Sequence, residues 1–376
     1  MVCYLDYNAT SPMRSCVIDA MIEAAYIHGN PSSVHAAGRK VRSLIESARS
    51  SIASIIGRAN DNLIFTSSGT EADALAIRGL KQNNVLVSAI EHNAVLAAAS
   101  CAKQIPVSKN GVVDLAVLKQ LLTTYKHGLV CVMWANNETG VIQPVDEIAR
   151  LAHKAGWLLH VDAIQGVGRL DPIAIAEADS IALSAHKIGG PPGIGALLIK
   201  NGLTLSPIIT GGGQERGWRA GTENNIGIIG FARAITVAEE ERATETIRLT
   251  NMRNKIVTAV LKRAPEVQLM GIRAECLCNT LSIALPGVAA EEQVIALDLD
   301  GIAVSAGSAC SSGKVRRSHV LNAMYPNNSI AGQAIRISLG WDTTSNDIDQ
   351  FLQFWGVMRD RYMRLIDSAA YRTCKS

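Results

Sequence analysis

The stretch GLVCVMWANNETGVIQPVDEIARLAHKAGWLLHVDAIQG, residues 128–166, contains the unit from which the fold is read. Gly128 to Trp134 is an apolar run of strand length, Val145 to Ala155 has apolar residues at helical spacing, and Trp157 to Val161 is a second apolar run. A strand that is apolar at every position fits burial on both faces, the condition of a parallel sheet covered by crossover helices. The same alternation extends outward. Asn62 to Thr66 reads as a strand and Glu71 to Lys81 as a helix. Val85 to Ser88 reads as a strand, Ala94 to Lys103 as a helix, and Ser180 to Ser184 as a further strand. The pattern predicts an α/β architecture with a mainly parallel sheet between helical layers. From Ile226 to Arg263 runs a long helical pattern, one kinked helix or two, read as the connector between domains. Beyond it, Cys278 to Leu285, Val288 to Leu297 and Ile335 to Leu339 suggest a smaller α+β domain.

Composition agrees with this organisation. The 376 residues exceed the roughly 250–300 at which single cores stop growing, so two domains are expected. At 48% hydrophobic and 18% charged, the chain has material for a large core and too little charge for disorder. With 36 Lys+Arg against 33 Asp+Glu and no basic run, a dedicated nucleic-acid partner is not expected. The longest apolar runs, Gly128 to Ala135 and Ile226 to Phe231, fall short of the roughly 20 residues a bilayer needs, so no membrane partner is expected. The opening MVCYLDY has neither a basic segment nor a long apolar stretch, so no secretory signal is read and the location is taken as cytoplasmic. The eight cysteines are then reduced thiols, and Cys276 and Cys278 do not have the spacing of a metal site.

Polar residues stand directly after several of the apolar runs. Asn136-Asn137-Glu138 follows one, Asp162 and then Gln165 another, and Ser184-Ala185-His186-Lys187 a third. Ser67-Ser68-Gly69-Thr70 stands where a helix begins. In an open α/β sheet ligands bind beyond the carboxyl ends of the strands, so these residues converge on one crevice if their strands are neighbours. The Ser-Ser-Gly-Thr turn reads either as an ordinary helix cap or as an anion pocket of free N–H groups and hydroxyls. Asp162 reads either as the cap of the next helix or as the partner of a pyridinium nitrogen. Lys187 reads either as a solvated loop charge or as a desolvated amine able to form a Schiff base with a carbonyl cofactor. A lysine and an aspartate so placed suit pyridoxal phosphate (PLP), whose protonated ring is an electron sink.

The chain also resembles the cysteine desulfurases, the NifS/IscS-like class of the class V aminotransferase family of fold-type I PLP enzymes. The resemblance is carried in order by YLDYNATSP (4–12), GNPSSVHAAGR (29–39), FTSSGTEAD (65–73), EHNAV (91–95), NNETGVIQP (136–144), HVDAIQGVGR (160–169) and SAHKIGGPPGIGAL (184–197). GGGQERGWRAGTEN (211–224), SAGSACSSG (305–313) and IRISLG (335–340) complete it. It implies a large domain, residues 12–245, with a mainly parallel seven-stranded sheet flanked by helices. It also implies a smaller α+β domain, residues 1–11 with 246–376, carrying a mobile reactive-cysteine loop at about 305–318.

By matched position, the resemblance implies that Lys187 carries the cofactor as a Schiff base, that Asp162 faces its ring nitrogen and that Gln165 reaches its phenolic oxygen. His92 stacks on the ring and relays protons, and Asn137 lies by the ring edge and the substrate. Gly69, Thr70, Ser184 and His186 hold the phosphate. Thr222 reaches the phosphate of the partner subunit's cofactor, so a homodimer with shared sites is implied, and Arg336 clamps the carboxylate of L-cysteine. Cys310, in a run of small side chains, takes the sulfur as a persulfide and leaves alanine. The sulfur passes to an acceptor protein such as an iron–sulfur scaffold, or to thiolated-nucleoside assembly. Departures from the family pattern touch the partner: Lys314-Val315-Arg316-Arg317 stands where the family often has an acidic residue and a proline, and the C-terminus is shorter than in members with a scaffold-docking tail. Selenocysteine lyase or another class V enzyme is the alternative activity, and a silent scaffold homologue is the alternative without catalysis. The second would be marked by loss of Lys187, Asp162 or Cys310, all of which are present.

Overall fold

The computed structural model describes residues 2–58, 62–307 and 317–373. After a short strand β1 (Cys3–Tyr4), helices α1 (Ser15–Ala25) and α2 (Ala36–Ile55) lead into an alternating run. That run is β2 (Leu63–Thr66), α3 (Gly69–Gly79), β3 (Val85–Ser88), α4 (Asn93–Ala98), β4 (Lys103–Ile105), α5 (Leu115–Thr124), β5 (Leu129–Met133) and α6 (Val145–Lys154), then β6 (Leu158–Asp162), β7 (Ser180–Ser184) and β8 (Gly195–Ile199). Strands β2 to β8 form one seven-stranded sheet in the order β2-β8-β7-β6-β5-β3-β4. The pairs β7–β6, β6–β5, β5–β3 and β3–β4 are parallel, and β8 runs antiparallel to both its neighbours. The expected mainly parallel seven-stranded sheet is therefore the one observed.

Every residue of β5, β7 and β8 is buried, as their unbroken apolar runs require. One face packs Val130, Val132, Leu159 and Val161 against α2, α6 and the start of α7 (Asn225–Arg263); the other packs Leu129 and Cys131 against α3. The long pattern from Ile226 resolves as that single helix of 39 residues. One expectation is corrected. The helix read over Ala94 to Lys103 stops at Ala98, Ala99 leaves helical geometry, and Lys103 to Ile105 form the edge strand β4 beside β3. Lys103 and Gln104 point to solvent there while Ile105 is buried, so pairing at the sheet edge overrides a short alanine-rich helix.

A second hydrophobic core is built from β9 (Gln268–Leu269), β10 (Thr280–Ala284), α8 (Ala290–Leu299), β11 (Ile302–Ala303), β12 (Ser305–Ala306), β13 (Ala334–Ser338) and α10 (Ser345–Thr373). Its four-stranded sheet runs β12-β13-β10-β9, all antiparallel, and β1 pairs with β11. The short helix α9 (His319–Met324) packs Val320, Leu321 and Met324 against Met133 of the large sheet and Ala334 of the small one. Among the described residues, no helix is long and apolar enough to cross a membrane.

Candidate active site

The carboxyl ends of β5, β6 and β7, the first turn of α3, the turn before α4 and the strands β12 and β13 enclose a cavity of about 400 Å³. Ten of the residues expected from the sequence line it: Gly69, Thr70, His92, Asn137, Asp162, Gln165, Ser184, His186, Lys187 and Arg336. Thr222 does not; it is exposed in the segment before α7. Cys310, with Lys314 and Arg316, lies outside the described residues.

Lys187 ends a short turn that follows β7, and its Nζ donates to the carbonyls of Asn8 and Ala9, at 2.7 Å each. Burial, then the nearby Arg336 and Arg169, push the amine down to about 8 against the pull of Asp6 and Asp162. The reading of Lys187 as a solvated loop charge is thereby set aside. Asp162 is the last residue of β6 and is buried; its Oδ1 accepts the amide of Ile164 at 2.9 Å. It is thus both a turn cap and a carboxylate facing the cavity. Burial raises its pKa, while the Ile164 amide, His92 and Lys187 act in the opposite direction.

Gln165 Nε2 donates to the Asn8 carbonyl at 3.0 Å, and its Oε1 accepts from Arg169 Nη1 at 3.0 Å. Arg169 Nη2 reaches the Lys187 carbonyl, also at 3.0 Å. Asn8, Gln165, Arg169 and Lys187 therefore close a ring that fixes the amine. Asn8 ties this ring to the small sheet, donating through Nδ2 to Thr280 Oγ1 at 2.8 Å and through its own amide to Ser338 Oγ at 3.0 Å.

At the other end of the cavity, Ser68 caps α3, taking the Glu71 amide on its Oγ and the Ala72 amide on its carbonyl. The amides of Gly69 and Thr70 have no intrahelical partner and stand at the positive end of the helix dipole. A Cβ at Gly69 would lie 2.2 Å from Ile164 Cδ1, so the missing side chain is what lets the cavity wall close up to the helix start. Ser184 and His186 complete this end, and burial followed by the Lys187 charge pushes His186 down to about 4. The cap reading and the anion-pocket reading of Ser67 to Thr70 are compatible: the cap uses two amides and leaves two.

His92 is the N-cap of α4 and accepts the Ala94 amide on Nδ1 at 3.1 Å. Burial is the main cause lowering its pKa; Asp162 opposes it, and Lys187 and His319 add to it. Arg336 sits mid-strand in β13, buried, with Nη2 donating to Asp6 Oδ1 at 2.6 Å and Nη1 to the Asn137 carbonyl at 3.0 Å. Its Nε is buried without a partner, so the guanidinium retains donor capacity beside the cavity.

Asp6, Asn8, Asp73 and His319 also line the cavity and were not singled out from the sequence. The motif YLDYNATSP contains Asp6 and Asn8, yet nothing in its spacing distinguishes them from turn residues. Asp73 is fully buried on α3, with Oδ1 on His160 Nε2 at 3.2 Å and Oδ2 unpartnered.

Residues 3–351 match the family Aminotransferase class-V. The cysteine desulfurase IscS of Dictyoglomus turgidum is 40% identical over 367 residues, covering 93% of this chain and 92% of that relative. A cysteine desulfurase of Cereibacter sphaeroides is 39% identical, covering 93% and 94%. Among solved structures, a NifS-like protein from Rickettsia africae superposes with a TM-score of 0.89 at 33% identity, covering 96% of this chain and 100% of the other. The chain belongs to the class-V aminotransferase family of PLP enzymes, and within it to the cysteine desulfurases.

Proposed function

We propose that this enzyme removes sulfur from L-cysteine, leaving L-alanine and handing the sulfur through Cys310 to an acceptor protein such as an iron–sulfur scaffold. The observation that carries this reading is the amine of Lys187, pushed down to about 8 by its surroundings, in one cavity with a buried carboxylate and a buried arginine.

The residues present fit PLP. Gly69, Thr70, Ser184 and His186 would hold its phosphate, in a cradle that a side chain at position 69 would crowd. Asp162 would face the ring nitrogen, Gln165 the phenolic oxygen and His92 the ring face, while Lys187 would hold the aldehyde carbon through Nζ. When bound, the cofactor supplies a protonated ring that withdraws electrons from the substrate's α-carbon.

The chain's own residues do the rest. Arg336 receives the α-carboxylate, because its fork-shaped guanidinium suits two carboxylate oxygens and its Nε is unused. Asn137 lies beside it, its carbonyl already holding Nη1 of Arg336. Lys187 Nζ takes the α-proton, for which a pKa near the working pH is suited. Cys310 Sγ attacks the substrate sulfur: a bond between the two sulfurs forms, the bond between Cβ and sulfur breaks with its electron pair left on Cβ, Cβ takes up a proton, and the three-carbon fragment leaves as alanine. The homodimer is part of the proposal. Thr222 is exposed away from this chain's cavity, and Arg219, three residues before it, donates to Glu71 on α3 at 2.8 Å, which sets the segment beside the phosphate end. Two separate hydrophobic cores support reading residues 12–245 as the cofactor domain and residues 1–11 with 246–376 as the smaller one.

The test is a cysteine-dependent assay for alanine and sulfide, with a visible spectrum of the purified protein. Cys310→Ala is expected to stay yellow and release no sulfide; full release would overturn the assigned nucleophile. Lys187→Ala is expected to lose both the bound-cofactor absorbance and turnover. A normal absorbance there would place the cofactor on another lysine.

A further inference from the structure

Glu71 brings a negative charge to the end of the cavity that would hold a phosphate. It is the third residue of α3, in the same turn as the free amides of Gly69 and Thr70. A carboxylate at a helix start suits the helix dipole but repels a second anion bound there. His186, at the same end, offers no charge in return at neutral pH, since burial followed by the Lys187 charge holds it at about 4. Glu71 is nevertheless ionised. Burial opposes its charge, yet the hydrogen bonds of Arg219 and Ser67 hold its carboxyl below the usual range.

That carboxylate is bound from two directions. Its Oε2 accepts the Ser67 amide at 2.7 Å and also the Ser67 hydroxyl, one residue beyond the reach of an ordinary capping box. Arg219 closes the other side, with Nε donating to Oε1 at 2.8 Å and Nη2 to Oε2 at 3.3 Å. The two side chains are 21% and 14% exposed, so water screens the pair less than it would a surface one.

The turn before Arg219 is shaped to deliver it. Glu215 and Arg216 have φ of 42° and 57°, the left-handed region that favours glycine. Such backbone persists where its surroundings impose it. Here Glu215 is the anchor, with its carboxylate on Arg49 at 2.7 and 2.9 Å and on the Phe65 amide at 2.9 Å. After the turn, the Ala220 amide is fixed on the Ile209 carbonyl at 3.1 Å. Both anchors of the segment, Phe65 and Glu71, flank the Ser67 to Thr70 turn.

We propose that Arg219 is a positioning residue for the cofactor's phosphate: it cancels the charge of Glu71 and keeps that carboxylate on Ser67, leaving the Gly69 and Thr70 amides to the phosphate. The assignment rests on the PLP reading above and deepens it. Arg219 acts on the turn of its own chain, whereas Thr222, three residues later, is assigned to the partner subunit's site. Sequence spacing does not signal the pair, because its members are 148 positions apart.

The test titrates PLP, and pyridoxal, which lacks the phosphate, into the apo form of the full chain, followed by visible absorbance. The ratio of the two affinities isolates the phosphate end. Arg219→Gln is expected to lower that ratio about tenfold, the scale of one uncompensated charge at partly screened range, with pyridoxal affinity unchanged. Arg219→Lys should keep the ratio within about threefold, and adding Glu71→Gln to Arg219→Gln should restore it. Glu71→Gln alone leaves the arginine charge uncompensated, so its ratio should rise by about threefold or more. A structural role for Arg219 would weaken both cofactors alike. Displacement of Thr222 would weaken PLP in a way that Glu71→Gln does not repair. Either result, or a ratio that Glu71→Gln leaves unmoved or lowered, would overturn the proposal. Failure of the unmodified protein to bind PLP at all would instead overturn the cofactor reading.

Discussion

Among the described residues, two buried arginines hold carboxylates, one behind the large sheet and one at the cavity. Arg49, on α2, gives Nη1 and Nη2 to the two oxygens of Glu215 at 2.7 and 2.9 Å, Nη1 again to the Leu63 carbonyl, and Nε to Glu46. Glu215 in turn accepts the Phe65 amide, and the guanidinium lies over the Phe65 ring. Every nitrogen of Arg49 has a partner, so the pair closes a seam between α2, β2 and the loop before α7. Arg336 is as well buried, yet it meets one oxygen of Asp6, one carbonyl and nothing at Nε. Saturation separates a structural pair from one with capacity left for a ligand. Burial and charge alone would have ranked the two alike.

Breaking the saturated pair should show the largest change. Glu215→Ala strands a guanidinium that is only 5% exposed, and the expected cost is about 3–5 kcal/mol of stability, read from urea unfolding. A loss under about 1 kcal/mol would mean that the pair behaves like a surface one. At the open pair, Arg336→Lys keeps the charge and loses the fork. The KM for cysteine is expected to rise roughly tenfold to a hundredfold, since a hydrogen bond to a charged group contributes about 1.5–3 kcal/mol. Its unfolding midpoint should move little, and a large drop there would erase the contrast with Arg49.

The open charge at Arg336 is also sensed by Lys187. Below about 8 the amine carries a proton and has no lone pair for an aldehyde, so PLP uptake by the apo chain should slow by about tenfold per pH unit on that side and level off above it. Stopped-flow absorbance would follow it. Among the nearby charges Arg336 depresses the amine most, after burial itself, so Arg336→Ala should carry the rise to higher pH. An unmoved rise would show that the two groups do not sense each other.

The legibility of the chain divides along the same line. Strands β3 and β7 were read at their observed bounds, because a run apolar at every position has few uses besides a doubly covered strand. Asp162, Gln165, Ser184, His186 and Lys187 were read because each stands just past such a run, where a parallel sheet presents its ligands. Arg336 was placed only by resemblance. It lies inside a strand whose other members are apolar or serine, and only the pairing of β13 with β12 and β10 turns it toward the cavity. Asn8 was missed for a related reason. Its partners Gln165, Lys187, Thr280 and Ser338 are 157 to 330 positions away, and no local pattern records them. The helix expected over Ala94 to Lys103 ends early, at Ala98, because alanine-rich propensity competes poorly with a free sheet edge once β3 is in place.

The order of apolar runs, and the polar residues that end them, already specify a parallel α/β sheet with a crevice at one edge, because side-chain periodicity is a local property of the chain. Which arginine has a partner at every nitrogen and how far the Lys187 amine is pushed down are different in kind. Each depends on donors, acceptors and charges brought together from distant segments, and on water shut out when the two cores close around them. Those are sums over the folded neighbourhood, and they have no value until the chain has folded.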